Sequence, residues 1–367
     1  MMKVDSALRT RFERVEKESF SQTLNKRVRQ YFTDNKISPN ANAKMRLKSI
    51  GMFALYVLPY LFLLIFAEGP LAVVLSFILM GVGMAGIGMG VMHDAAHGAY
   101  SSKKWENKLW GASIYLISGN LTTWKIQHNI LHHTFTNIDG LDEDMETQGL
   151  LRLHPSQPLK KYHRFQAIYT PFVYGLLTLN WLISKDFKQM LTYYRRGIGG
   201  ENIKSIGKKW WTLGATKALY AALFIALPLI FAGAAWYWVL LGFLAMHFTA
   251  GVILSYVFQL AHMVDGVESH EQPEDGKIKE EFMIHQLKTT ANFARKNWLV
   301  NWYVGGLNYQ VEHHLFPNIC HIHYPAISKI VKQTAEEHNL PYNEYRTTRA
   351  ALKAHIQHLS KMGSVAA

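Results

Sequence analysis

Apolar residues in this chain are gathered into long blocks rather than recurring at a helical or strand period, and polar, basic stretches separate the blocks. Residues 50–67 and 71–92 form one pair, interrupted by Glu68-Gly69-Pro70, and residues 213–231 and 234–261 form a second, interrupted by Ala232-Gly233. A membrane-crossing helix needs about 20 mostly apolar residues. The pattern therefore predicts an all-α integral membrane protein with four transmembrane helices in two hairpins. Residues 110–121 and 167–183 are apolar but short or broken by polar residues and Pro171, which predicts re-entrant or surface-lying helices. Residues 264–281 are acidic, contain Pro273 and Gly276, and predict a loop.

Charge turns this pattern into a topology. No Lys or Arg occurs in residues 49–102 or 218–276, so all 39 basic residues lie in the stretches flanking the two blocks. Basic residues mark the cytoplasmic side, so both hairpins enter from that side and return to it. The expected organisation is a cytoplasmic N-terminal interfacial helical segment (1–48), a first hairpin (49–102), a cytoplasmic helical region (103–212), a second hairpin (213–262) and a cytoplasmic C-terminal region (263–367). Residues 1–48 are charged and lack the apolar core of a cleaved signal. The mean hydropathy of −0.03 averages apolar spans with polar regions and does not favour a soluble protein.

The net charge of +13 follows from basic faces that meet anionic lipid, with docking of an acidic redox partner or an anionic thioester as a further role; no nucleic-acid partner is expected. A single cysteine, Cys320, excludes an internal disulfide or a thiolate cluster. Metal ligands must then be nitrogen or oxygen.

Such ligands are concentrated at the ends of the apolar blocks. HDAAHG (residues 93–98) follows the second span, HNILHH (128–133) lies in the central region, and QVEHH (310–314) lies in the C-terminal region. His93 and His97 are four apart and share one helix face, as do His128 and His132. His133, turned by about 100° from its neighbour on an α-helix, can address a second metal. Gln310, His313 and His314 fall at i, i+3 and i+4, and His262 closes the fourth span. Eight histidines and a glutamine exceed what one ion can use, which points to a dinuclear centre. The expected topology puts all of them on one membrane face. Asp94, Asp265 and Glu312 are the expected partners of the ligands' second ring nitrogens, alongside Asp139, Asp142 and Asp144 nearby. His154, His163, His247, His321 and His323 are left with structural or supporting roles. Imidazole without thiolate suits iron, copper or zinc, and zinc has no redox chemistry.

HDAAHG, HNILHH and NYQVEHHLFP resemble the three histidine boxes of the membrane fatty acid desaturase family, over residues 50–325. The resemblance implies a cytoplasmic helical cap holding two Fe ions, with O2 as co-substrate, that inserts a cis double bond into an acyl-CoA or acyl-lipid. Zinc is expected to be accepted in overproduced protein. The implied ligands are His93, His97, His128, His132, His133, His313 and His314, with His262 as an extra one. Gln310 stands where many members have histidine and resembles the front-end (delta-6 or delta-5) subgroup, and also some delta-9 enzymes. An HPGG motif, the mark of a fused cytochrome b5 domain, does not occur in the sequence. Electrons are therefore expected from a separate donor, a ferredoxin or cytochrome b5 with its reductase, at a bacterial inner or ER-type membrane. The alternatives are a di-iron lipid hydroxylase or ketolase and, from a different class, a non-enzymatic metal-binding membrane protein.

Overall fold

The structure is a computed structural model and describes residues 10–14, 18–198 and 206–364. It is mostly helical, and four of its helices are long and apolar enough to cross a membrane: Ala43–Ile65, Gly69–Ala96, Ile206–Phe231 and Trp236–His262. In chain order the helices used below are α1 (Phe20–Asp34), α2 (Ala43–Ile65), α3 (Gly69–Ala96), α4 (Lys161–Gly175), α5 (Leu177–Arg196), α6 (Ile206–Phe231), α7 (Trp236–His262), α8 (Trp298–Tyr303), α9 (Gln310–Leu315), α10 (Tyr324–Glu337) and α11 (Thr348–Ser364). Among the described residues the strands are three parallel pairs of two residues each. One of these, Ile138–Asp139 with His270–Glu271, ties the expected loop 264–281 to the segment after the second histidine cluster.

Two of the long helices start before their apolar blocks. α2 begins at Ala43, where the side chain of Asn42 caps the Met45 amide, and it runs through Lys44, Arg46 and Lys48. α6 is already helical at Ile206, ahead of Leu213. The physical reason is that hydropathy reports where a helix can meet lipid, whereas capping and backbone hydrogen bonding decide where it starts.

The long helices pack closely through small residues. A Cβ on Gly81 of α3 would lie 2.5 Å from the Met246 carbonyl oxygen of α7, and one on Gly83 would lie 2.7 Å from the Leu55 carbonyl of α2. Both positions require the absence of a side chain, as helix contacts in lipid commonly do. Around them Met52, Tyr56, Phe77, Met80, Met84 and Met246 form the main buried cluster.

Between the two pairs of long helices, α4 and α5 meet at a bend of 53° and lie against α7. Ile168, Phe172 and Ile183 remain exposed on their outer side, where they can meet lipid. Residues 110–121 differ from the single helix expected. They comprise the end of a helix at Gly111, a 3-10 turn (Ala112–Ile117) and a left-handed Ser118, with Ile114 and Ile117 fully buried. Packing into the core, rather than lying on a surface, explains their apolar character.

The chain's two terminal regions pack on each other. Phe20, Leu24 and Val28 of α1 are buried against Leu315, Phe316, Tyr324 and Ile327, so this helix covers the third histidine cluster rather than resting on lipid alone. The part of the expected N-terminal segment at residues 1–9 and 15–17 lies outside the described residues. Nothing in the sequence reading anticipated α8: Trp298 and Leu299 are exposed, while Tyr303 donates to the Val82 carbonyl of α3 at 2.8 Å.

Candidate metal centre

Four separate elements bring the histidines together. His93 opens the last turn of α3 with His97 just beyond it, His262 is the last residue of α7, and Gln310, His313 and His314 lie on α9. The fourth element is Leu121–Lys125 running into a π-helical stretch, Ile126–His132, and it carries His128, His132 and His133. A second π-helical stretch, Ile87–Met92, precedes His93.

The π winding changes which histidines face one another. On an α-helix His133 would point about 140° away from His128, whereas at about 4.4 residues per turn, implied by i→i+5 bonding, the angle falls to about 50°. All three rings then face one interior: His128 lies 4.8 Å from His133 and 5.2 Å from His132, centroid to centroid. His128 and His132, expected as a four-residue pair, share a set with Asp144 on their outer side but fall in different all-histidine groups. Ligand atoms of His93, His97, His128 and His313 lie within 4.8 Å of one another, as do those of His132, His262 and His314, while His133 groups with His313 and His314 between them.

The ring nitrogens are sorted by direction. Nδ1 of His132 donates to Asp142 (3.0 and 3.1 Å), Nδ1 of His313 to the Tyr324 hydroxyl (3.2 Å), Nδ1 of His314 to Gln286 Oε1 (2.8 Å), and Nδ1 of His262 to the Thr289 carbonyl (3.3 Å). Their Nε2 atoms are left facing inward. His93 Nε2 sits 3.0 Å from His128 Nε2, and His133 Nε2 sits 2.9 Å from His313 Nε2. His97 Nε2, His132 Nε2, His133 Nδ1 and Gln310 Oε1 are buried with no hydrogen-bond partner. Converging lone pairs and orphaned buried acceptors are costly unless a cation occupies the space between them. The residues fit a metal group on that ground.

Five of the imidazoles are held in the neutral form that a metal ligand needs. Burial, followed by repulsion from neighbouring imidazoles, pushes His97, His128, His133, His313 and His314 well below the ordinary histidine range, so they are neutral donors. For His132 burial acts in the same direction, but the charges of Asp142 and then Asp144 outweigh it and carry the group up to about 9.

Gln310 shares the second group: its amide nitrogen lies 3.0 Å from His262 Nε2 and 3.4 Å from His314 Nε2. An amide is a weaker donor than imidazole, so Gln310→His changes the field at that position. Turnover is expected to fall at least about tenfold with the protein still folded, measured as product formed per enzyme; wild-type turnover in this variant would remove Gln310 from the site.

The acidic residues fall differently from expectation. Asp94 accepts from His321 Nδ1 at 2.8 Å, and His321 in turn meets Lys48 Nζ at 2.8 Å. Glu312 accepts from Asn292 (2.9 Å) and Tyr342 (2.8 Å), and Asp265 is exposed beyond the end of α7. None of the three is bonded to a histidine of the three clusters. Asp94 and Glu312 each neighbour a cluster histidine in sequence, and adjacent helical residues point about 100° apart. Asp142 holds that place instead, with Gln286, Thr289 and Tyr324 as further partners. The signal for Asp142 was its position in the acidic run after HNILHH, at a turn where Gly140 has φ +83°.

Comparison with known proteins agrees with this picture. A family model described as fatty acid desaturase matches residues 68–346. The chain is 37% identical over 346 residues to the sn-1 linoleoyl-lipid 6-desaturase of Arthrospira platensis, covering 94% of this chain and 92% of that protein. It is 32% identical over 361 residues to the sn-1 linoleoyl-lipid 6-desaturase of Synechocystis sp., covering 96% and 98%. It is 36% identical over 352 residues to the acyl-lipid (8-3)-desaturase of Physcomitrium patens, covering 95% and 72%.

Proposed function

The chain belongs to the fatty acid desaturase family, and from that premise we propose that it is a di-iron acyl-lipid desaturase of the front-end type, introducing a cis double bond between the carboxyl end and an existing one. It is a membrane oxidoreductase acting on fatty acyl chains. The choice of an acyl-lipid over acyl-CoA, and of a position near the carboxyl end, follows the relatives named as linoleoyl-lipid 6-desaturases and (8-3)-desaturases.

The observation that carries the reading is the convergence of inward-facing histidine nitrogens from four elements, several of them buried with no partner. His93, His97, His128 and His313 would hold one iron, and His132, His262 and His314 the other, with Gln310 beside the second and His133 between them. When bound, the ions supply the redox chemistry by which O2 and two electrons take two hydrogens from adjacent methylenes; with two protons from solvent, two waters form. The protein's own part is to fix the ligands and keep the site dry. Asp142, Tyr324, Gln286 and the Thr289 carbonyl hold the outer ring nitrogens so that the inner lone pairs stay aimed. Trp124, stacked on His128 at 4.5 Å, and Phe258, 6.4 Å from His93 and 6.0 Å from His128, set apolar rings against these ligands. Such surroundings suit an alkyl chain and exclude water. Electrons would come from a separate donor on the cytoplasmic side.

Linoleoyl-lipid supplied with reduced donor, O2 and purified protein is expected to yield a product lighter by two hydrogen atoms, with the new double bond on the carboxyl side of those present. Mass spectrometry with double-bond localisation checks this. A product heavier by one oxygen would overturn desaturation in favour of hydroxylation.

A further inference from the structure

Asp144 touches a histidine of each group. Its Oδ2 lies 3.4 Å from His132 Nδ1 and 4.0 Å from His128 Nδ1, and these three side chains form a compact set of their own. His128 belongs with His93, His97 and His313, whereas His132 belongs with His262 and His314. A carboxylate on the outer edge of both rings favours the tautomer with its proton on Nδ1, which leaves each Nε2 lone pair free on the inner side.

One hydrogen bond holds the carboxylate and another holds the backbone that carries it. The Asp144 backbone amide donates to Asp142 Oδ1 at 2.9 Å. The side-chain amide of Gln127, the residue before His128, donates to Asp144 Oδ1. Gln127 is itself oriented, because Gln189 of α5 donates to its Oε1 at 2.8 Å and to Glu143 at 3.0 Å, and Tyr193 of α5 also donates to Glu143. A run of hydrogen bonds thus leads from α5, which packs on the long helices, to the Asp144 carboxylate, whose Oδ2 lies within ion-pair distance of His132 and, at its limit, of His128.

We propose that Asp144 is a positioning residue shared by the two metal positions, orienting His128 in one and His132 in the other, with Gln127 and Gln189 holding it in place. The proposal rests on the reading that the histidines bind two ions. Asp142 cannot serve both: it faces His132 alone and also carries the Asn137 and Asp144 amides, so its loss would disturb the turn itself.

The test titrates ferrous iron anaerobically into the metal-free, detergent-solubilised full chain, alongside its metal-free melting temperature. Asp144→Asn keeps the size and an acceptor but removes the charge. It is expected to weaken binding of both ions about 10–100-fold while leaving the metal-free melting temperature unchanged, and Asp144→Glu is expected to restore part of the affinity. A merely structural role would move the melting temperature and spare the affinity. Gln127→Met, which leaves the carboxylate in place but frees it, is expected to weaken both ions severalfold and decides the matter if Asp144→Asn melts early. Wild-type affinity in Asp144→Asn, or weakening at one ion alone, overturns the shared role. Wild-type protein that binds fewer than two ions overturns the two-ion reading itself, a result visible before any variant is made.

Discussion

His132→Ala and His314→Ala are each expected to bring desaturation to background while the protein still enters the membrane. Both residues belong to the group completed by His262, and removing either leaves two imidazoles and the Gln310 amide to hold an ion. That donor set is too poor for a redox-active divalent metal in a site built from neutral nitrogens. Neither residue lies in the four apolar helices apart from their shared partner His262, and alanine is well tolerated in a helix. The outer partners supply the control: Asp142 and Gln286 would lose their ring contacts, but the backbone amide bonds to Asp142 remain. Product formation, iron content and recovery in the membrane fraction check the expectation together. Iron content should fall to one ion per chain, and substantial turnover in either variant would undo the assignment of that histidine as a ligand.

The parts of the fold and site legible in the sequence are those governed by composition and spacing. Uninterrupted apolar runs located four long helices, because hydrocarbon tolerates little else over about 20 residues. Histidines at or beyond the ends of those runs, four apart in two clusters and adjacent or single elsewhere, are the residues that the fold gathers into the three groups. What escaped depends on backbone winding and on contacts between distant segments. Spacing arguments assume an α-helix, so the π-helical stretch Ile126–His132, which turns His133 inward, left no trace in the residue pattern. Sequence adjacency suggested Asp94 and Glu312 as partners, yet adjacency on a helix directs side chains apart, and the carboxylate that reaches His132 comes from a turn ten residues on. The apolar face of α8 was likewise hidden, since six residues are too few for hydropathy to distinguish a contact with spans from an ordinary core helix.

A second large effect is expected away from the metal centre, at a buried ion pair. Lys217 Nζ on α6 lies 2.5 Å from Asp186 Oδ2 on α5, and donates to the Trp181 carbonyl at 2.8 Å and to the Ser118 carbonyl. The side chains are 9% and 5% exposed. Asp186 Oδ1 also accepts from the Thr123 hydroxyl at 2.8 Å, in the helical turn that leads into the His128 stretch. One pair thus joins a long apolar helix, the bent α4–α5 layer and the element carrying three candidate ligands. Asp186→Leu strands the ammonium with two carbonyls for company, and breaking a buried pair from one side costs about 3–5 kcal/mol. A loss of that size is expected in the stability of Asp186→Leu, and a similar one in Lys217→Met, where the carboxylate keeps only Thr123. The double variant removes both charges and should recover most of the loss, less the two carbonyls that no longer have a donor. Thermal unfolding of the wild type, both single variants and the double variant in one detergent measures the coupling. Single variants as stable as the wild type would show that the charges are solvated rather than buried. A double variant no better than the singles would shift the stabilisation from the ion pair to the bonds with the Ser118 and Trp181 carbonyls.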